Sequence, residues 1–290
     1  MAGNPMISRR MLVNFLLVFL IILFTYIGNR YDVKTGYQPD HRISRLKPRE
    51  VTRIAIQTAD HALTLVRVDG AWQIESPISW FANNINVERI LDILNSPADS
   101  KLPGDEIDLA SLGLKFPRAV LRLNDTELSF GETNNIGARR YVLIDDTVHL
   151  IADRHLPFLQ QGITGLVDRR LIPPAMSMRS LELASVSLTR NESGQWLANE
   201  ANLTPDQAEK IIANWQTLEA RHLQKYDSGN TPSRKLVIGL DNGGKIEFYL
   251  MSIAPEVVIA RADLGIQYHF DARYYYGLIE PEKTHENETD

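Results

Sequence analysis

After residue 50, apolar and polar side chains alternate with a period of two over most of the chain, and the pattern is written twice. The first copy opens with Ile54-Ala55-Ile56 and Leu63-Thr64-Leu65-Val66-Arg67-Val68, turns at Asp69-Gly70, and resumes as Trp72-Gln73-Ile74. The second gives Leu181-Glu182-Leu183, Val186-Ser187-Leu188-Thr189, a turn at Ser193-Gly194, and Trp196-Leu197. Each copy thus predicts a hairpin whose last strand starts with tryptophan after a glycine turn.

The period then changes to that of a helix. Residues 84–95 place Ile85, Val87, Ile90, Leu91 and Leu94 at helical spacing, expected largely on one face. In the second copy Thr204 can cap, Pro205 suits the first turn, and Gln207 completes a capping box. Ala208, Ile211, Ile212, Trp215 and Leu218 form the stripe that follows.

Four further strands close each copy, and here the halves agree best. Arg118-Ala119-Val120-Leu121-Arg122-Leu123 is answered by Arg234-Lys235-Leu236-Val237-Ile238-Gly239-Leu240. Glu127-Leu128-Ser129-Phe130 corresponds to Lys245-Ile246-Glu247-Phe248-Tyr249-Leu250, Tyr141-Val142-Leu143-Ile144 to Val257-Val258-Ile259-Ala260, and Val148-His149-Leu150-Ile151 to Gln267-Tyr268-His269-Phe270. Asp153 and Asp271 precede short apolar helices at 155–160 and 272–278, where N-capping is the expected role of both. The predicted class is α+β: two tandem, duplicated antiparallel-sheet units, 51–160 and 179–279, each with a packed helix, joined by a bridge at 161–178.

Upstream, residues 11–27 read MLVNFLLVFLIILFTYI, with Asn14 as the only strongly polar member. That predicts a single transmembrane helix over 11–28, near the minimum for a hydrocarbon core of about 30 Å. Arg9 and Arg10 precede the run, so residues 1–10 are expected in the cytoplasm and the rest across a bacterial inner membrane, in the periplasm. No small-residue cleavage pattern follows, which favours a retained anchor over a cleaved signal. Residues 29–50 are polar and read as a tether, and 280–290 as an acidic disordered tail.

Charge and composition narrow the function. The net charge is −5, and most of it lies in the tail, where Glu280, Glu282, Glu286, Glu288 and Asp290 face one base, Lys283. The rest is near neutral, which argues against nucleic acid as a partner. With no cysteine, disulfides, thiolate metal sites and Cys nucleophiles are excluded.

One stretch carries a family pattern. A strand pair ending in Gly-x-Trp, a proline and a helix lead to Leu112-Gly113-Leu114-Lys115-Phe116-Pro117, then Leu128-Ser129-Phe130-Gly131, Gly137, Tyr141-Val142 and Leu166-Val167-Asp168-Arg169-Arg170-Leu171-Ile172. This resembles the domain-of-unknown-function family 4340, over about residues 50–175 and more loosely in the second copy. The resemblance implies a membrane-anchored, extracytoplasmic β-rich protein, often found beside ABC-type transport components. It transfers no catalytic residues.

The remaining chemistry is sparse. The seven histidines make no local metal-ligand spacing, and His149 and His269 sit at offset positions of corresponding strands, so no metal or other cofactor is expected. There is no G-x-S-x-G and no phosphate loop; Gly243-Gly244 reads as a hairpin turn. Asp168 with Arg169 and Arg170 reads either as a binding site for an acidic group or, the favoured reading, as a salt bridge fixing the bridge between copies. Arg139 and Arg140, beside Gly137, read as solvated loop residues, in a place where recognition residues also occur. Tyr274-Tyr275-Tyr276 cannot all face one core, and of Trp80-Phe81 one ring is expected outside. Arg139, Arg140, Arg169, Arg170, Trp80, Phe81, Tyr274, Tyr275 and Tyr276 are the candidate interaction set.

The expected function is therefore a non-catalytic, membrane-anchored accessory protein that binds other membrane or envelope proteins. The alternative is a lipid- or glycan-binding protein with its site between the two repeats. A third reading is an envelope hydrolase.

Overall fold

The computed structural model describes Val18 and residues 42–98, 100–134, 137–199 and 203–281. No helix among these is long and apolar enough to cross a membrane; the run 11–27, Val18 aside, lies outside them, as does the tail from 282.

The folded body begins at Arg42, inside the stretch expected as tether. Ile43 is buried, its amide donates to Ser96 O at 3.3 Å, and Arg42 bridges to Pro97. Ile43 and Leu46 stand alone among polar residues without alternation, and so left no trace of this docking in the sequence.

The first half contains β1 (Arg53–Thr58), β2 (Ala62–Val68), β3 (Ala71–Ser76), β4 (Trp80–Phe81), α1 (Asn84–Leu91) and β5 (Ser100–Pro103). It continues with β6 (Ala119–Leu123), β7 (Thr126–Asn134), β8 (Arg139–Ile144), β9 (Thr147–Ala152), α2 (Leu156–Gln160) and α3 (Ile163–Leu166). The second contains β10 (Met178–Glu182), β11 (Ser187–Arg190), β12 (Trp196–Ala198), α4 (Pro205–Thr217) and β13 (His222–Lys225). β14 (Arg234–Leu240), β15 (Lys245–Ser252), β16 (Glu256–Arg261), β17 (Ile266–Asp271) and α5 (Tyr275–Leu278) complete it.

All pairings between these strands are antiparallel. One sheet runs β4-β3-β2-β1-β6-β7-β8-β9-β5, the other β12-β11-β10-β14-β15-β16-β17-β13. Apart from β4, the two sheets follow the same course. In each, the helix carries the chain from the hairpin edge to the opposite edge, where a short strand pairs with the last strand of the meander. Those short strands, β5 and β13, were not anticipated: Ser-Lys-Leu-Pro and His-Leu-Gln-Lys carry one leucine each and no readable alternation.

The helix caps follow the sequence. Thr204 Oγ1 accepts from Gln207 N while Gln207 Oε1 accepts from Thr204 N at 3.0 Å, a complete capping box. Val87, Ile90, Leu91 and Leu94 are buried, but Ile85 points outward and is 64% exposed. At about 100° per residue it lies roughly 200° from Val87, on the opposite face from the one expected.

One hydrophobic cluster runs through both halves. The bridge joins them as added backbone pairing: Asn83 N donates to Leu166 O at 2.7 Å and Asp168 N to Phe81 O at 3.0 Å. On its far side Ala220 N donates to Arg169 O at 2.9 Å, and Leu171 and Ile172 are fully buried.

Candidate functional site

The nine anticipated residues fall into four places, and the structure gives most of them internal work. Arg140 is in strand β8, not in a loop, and is 7% exposed where a solvated side chain was expected. Its Nε donates to Asp153 Oδ1 at 2.7 Å and its Nη2 to Asp153 Oδ2 and Thr133 Oγ1, both at 2.8 Å, while Nη1 donates to Gly131 O. Asp153 therefore pairs with arginine instead of capping the next helix, and the hydrogen bond from Arg140 holds its carboxyl below the usual range. Asp271 does cap, accepting from Arg273 N at 3.1 Å. Arg139 begins the same strand and is half-buried.

Asp168 and Arg170 form a bidentate pair with a closest approach of 2.6 Å, and Arg169 reaches Glu219 of the second half at 2.6 Å. The bridge is thus clamped by charge, as its sequence indicated. Trp80 and Phe81 meet edge to face, and both are half-buried. Trp80 lies across the seam, its ring centroid 4.3 Å from the guanidinium of Arg261 in β16. At the C-terminus Tyr274 and Tyr275 pack on the core and Tyr276 is 44% exposed. This segment is a 3-10 turn running into the irregular α5, fastened where Trp215 Nε1 donates to Leu278 O at 2.8 Å.

A groove of about 650 Å³ lies between α1 and α2. Ile85 stands on one wall, Phe158 and buried His155 line the other, and Arg89 lies over the Phe158 ring. Arg154 pairs with Asp92 across one end at 3.0 Å, and Glu88 completes a rim of both signs. His155 Nε2 is 3.0 Å from Ser96 Oγ, and burial pushes its pKa down to about 4, so it is neutral here. Of these, the sequence marked only Ile85, as a presumed core residue, and His155, as one of the scattered histidines and the start of a short helix.

A second, polar cleft of about 330 Å³ opens at the seam, lined by Asn86, Gln161 and Thr164 of the first half and by Arg169, Arg221 and His222. Beside it His222, Glu256 and His269 come together, with ligand-capable atoms all within 4.8 Å of one another. His269 Nδ1 is 3.0 Å from Glu256 Oε2, and the rings of His222 and His269 stack at 4.4 Å. The hydrogen bond from His269, with the nearby charges of His269, His222 and Arg221, holds the Glu256 carboxyl below its usual range. These residues are scattered through 222–269, and no local spacing marks them.

Residues 72–243, more than half of the chain, match the family described as Domain of unknown function (DUF4340). The chain belongs to that family. The DUF4340 match starts at Trp72 in β3 and ends in the turn after β14, so it spans the seam and takes in parts of both sheets. Two glycines of the motif now have a reason. A Cβ on Gly131 would strike the backbone oxygen of Leu112, and Gly113, at φ +68°, packs against Glu132. No curated protein and no solved structure matches the chain.

Proposed function

We propose that this DUF4340 protein is a non-catalytic, membrane-tethered accessory protein that receives an apolar segment of a companion envelope protein in the α1–α2 groove. The observation that carries this reading is Ile85, a large aliphatic side chain held in solvent on a rigid helix beside a concavity with a charged rim. An exposed apolar patch ringed by polar residues is the usual anatomy of a contact surface. Tethering rests on the apolar run 11–27 behind Arg9 and Arg10, a pattern that favours a periplasmic body. Family resemblance makes an ABC-type transport component the first companion to look for.

The test is recovery of companions from gently solubilised membranes. Ile85→Asp should lose the companion that the wild-type chain retains, while its stability changes by less than about 0.5 kcal/mol, as for other surface substitutions. Equal recovery by both chains, or a wild-type chain that always emerges alone, would sink the reading.

A second reading, a small polar ligand held between the halves, is favoured by the seam cleft and its two arginines. The lining suits a glycan or an anion better than a lipid. Native mass spectrometry showing such a ligand on both the wild-type and Ile85→Asp chains would favour it.

A further inference from the structure

We infer that His222, Glu256 and His269 form a binding site for a divalent transition-metal cation of the zinc type. The three side chains come from adjacent strands, β13, β17 and β16, and share one face of the second sheet. His222 is directly opposite His269 in register, and Glu256 is directly opposite Asp271, which puts it diagonal to His269. Opposed Cβ atoms in an antiparallel pair stand about 4.5–5.5 Å apart, with diagonal neighbours still in reach. The sheet frame therefore fixes the spacing of the ligands before any ion arrives.

The donor set selects the ion. Two imidazole nitrogens and one carboxylate suit zinc and its transition-metal neighbours, whereas magnesium and calcium prefer all-oxygen shells. Tetrahedral zinc, with bonds of about 2.0–2.1 Å, needs donors about 3.3 Å apart. Glu256 and His269 already stand 3.0 Å apart, so the adjustment falls on His222, which is exposed and free to turn. His269 is the fixed member, 7% exposed. Gln224 Nε2 lies 3.2 Å from His222 Nε2; with the amide turned over, Gln224 Oε1 accepts from the Nε2–H of a His222 that binds through Nδ1. His222 also lines the polar cleft at the seam.

Two surrounding features sharpen the inference. Arg221 Nη1 is 3.7 Å from Glu256 Oε1, a cation competing for the same carboxylate, on a side chain exposed enough to swing away. Asp271 shares the face but is committed to the cap at Arg273. The first sheet sets Ser100 opposite Leu150 and Lys101 opposite His149 at the equivalent edge, so it has no facing histidine pair there. The site belongs to the second half alone.

The test is titration of the untagged full-length chain in detergent with zinc alone, followed by cobalt for its visible spectrum. One equivalent should bind, with a tetrahedral cobalt band. His222→Ala and Glu256→Gln should weaken binding at least tenfold and abolish the band, and Arg221→Ala should tighten binding several-fold. A gain of affinity cannot come from misfolding, so the arginine variant guards against that reading of the losses. Absence of stoichiometric binding by the wild-type chain, or unchanged affinity in His222→Ala and Glu256→Gln, overturns the proposal.

Discussion

Arg140 shows how much one side chain can hold when its geometry is planar and its surroundings are closed. Strand β7 bulges between Phe130 and Thr133, and the guanidinium occupies that irregularity, bound to the Gly131 carbonyl, to Thr133 and to Asp153 at once. Removing one member of such a buried pair strands the other. We expect Arg140→Ala to cost about 3–5 kcal/mol in urea unfolding. Arg140→Lys should recover only part of this, because an ammonium cannot span three acceptors with a fixed fork. A loss below about 1 kcal/mol would mean that the network contributes little. The sequence put Arg140 in the wrong environment because Gly137 beside it suggested a loop; the turn is real, with Gly137 at φ +78°, but the strand starts two residues later.

At the scale of elements, two buried histidines set the response to acid. His149 lies in β9 directly opposite buried Val142, and burial pushes its pKa down to about 4. His155, at the start of α2, is lowered as far, again mainly by burial. Above pH 6.5 both are neutral whether the chain is folded or not, and neither affects stability. Between pH 6.5 and about 4 the unfolded chain takes up protons that the folded one refuses, so stability falls, by up to about 3 kcal/mol per histidine. Asp153 acts lower: its carboxyl is held down in the fold, so its contribution is present above the ordinary value of 3.8 and is lost as pH drops through the folded value. We expect urea midpoints to fall from pH 7 to pH 5, and His149→Leu to shrink that difference by about half. An unchanged difference in the variant would exclude His149 as a cause. None of this could be read from the strand pattern, where His149 interrupts a run of apolar residues without revealing which way it faces.

Across the whole molecule the deciding contact is at the seam. Arg261 is almost fully buried, with Nε and Nη2 on Asp263 and its face between Trp80 of the first half and Phe248 of the second. Tyr268 Oη, Arg261 Nη1 and Trp80 Nε1 are buried without protein partners, so the seam is a place where packing outweighs polar satisfaction. Because one apolar cluster runs through both halves, the folded body should unfold in a single calorimetric transition. Trp80→Ala should lower its midpoint, with a cost of about 3–5 kcal/mol. Arg169→Ala, which breaks the exposed pair with Glu219 and a long 3.4 Å bond from Nη1 to Arg221 O, should cost less than about 1 kcal/mol. Two separate transitions in the wild-type chain, or equal costs for the two variants, would contradict this view of the seam.

Local order was legible in the residues themselves. The hairpins at Asp69-Gly70 and Gly243-Gly244, the capping box at Thr204 and the doubled run of strands follow from backbone preference and alternation, which act between near neighbours. The docking of residues 42–50, the short edge strands β5 and β13, the stacking of Trp80 on Arg261 and the meeting of His222 with Glu256 and His269 did not. Each joins residues far apart in the chain, and each arises only once the sheets are assembled and their edges and seam brought together. Periodicity tells a residue which side of its own strand it occupies; only the folded sheet decides what stands opposite.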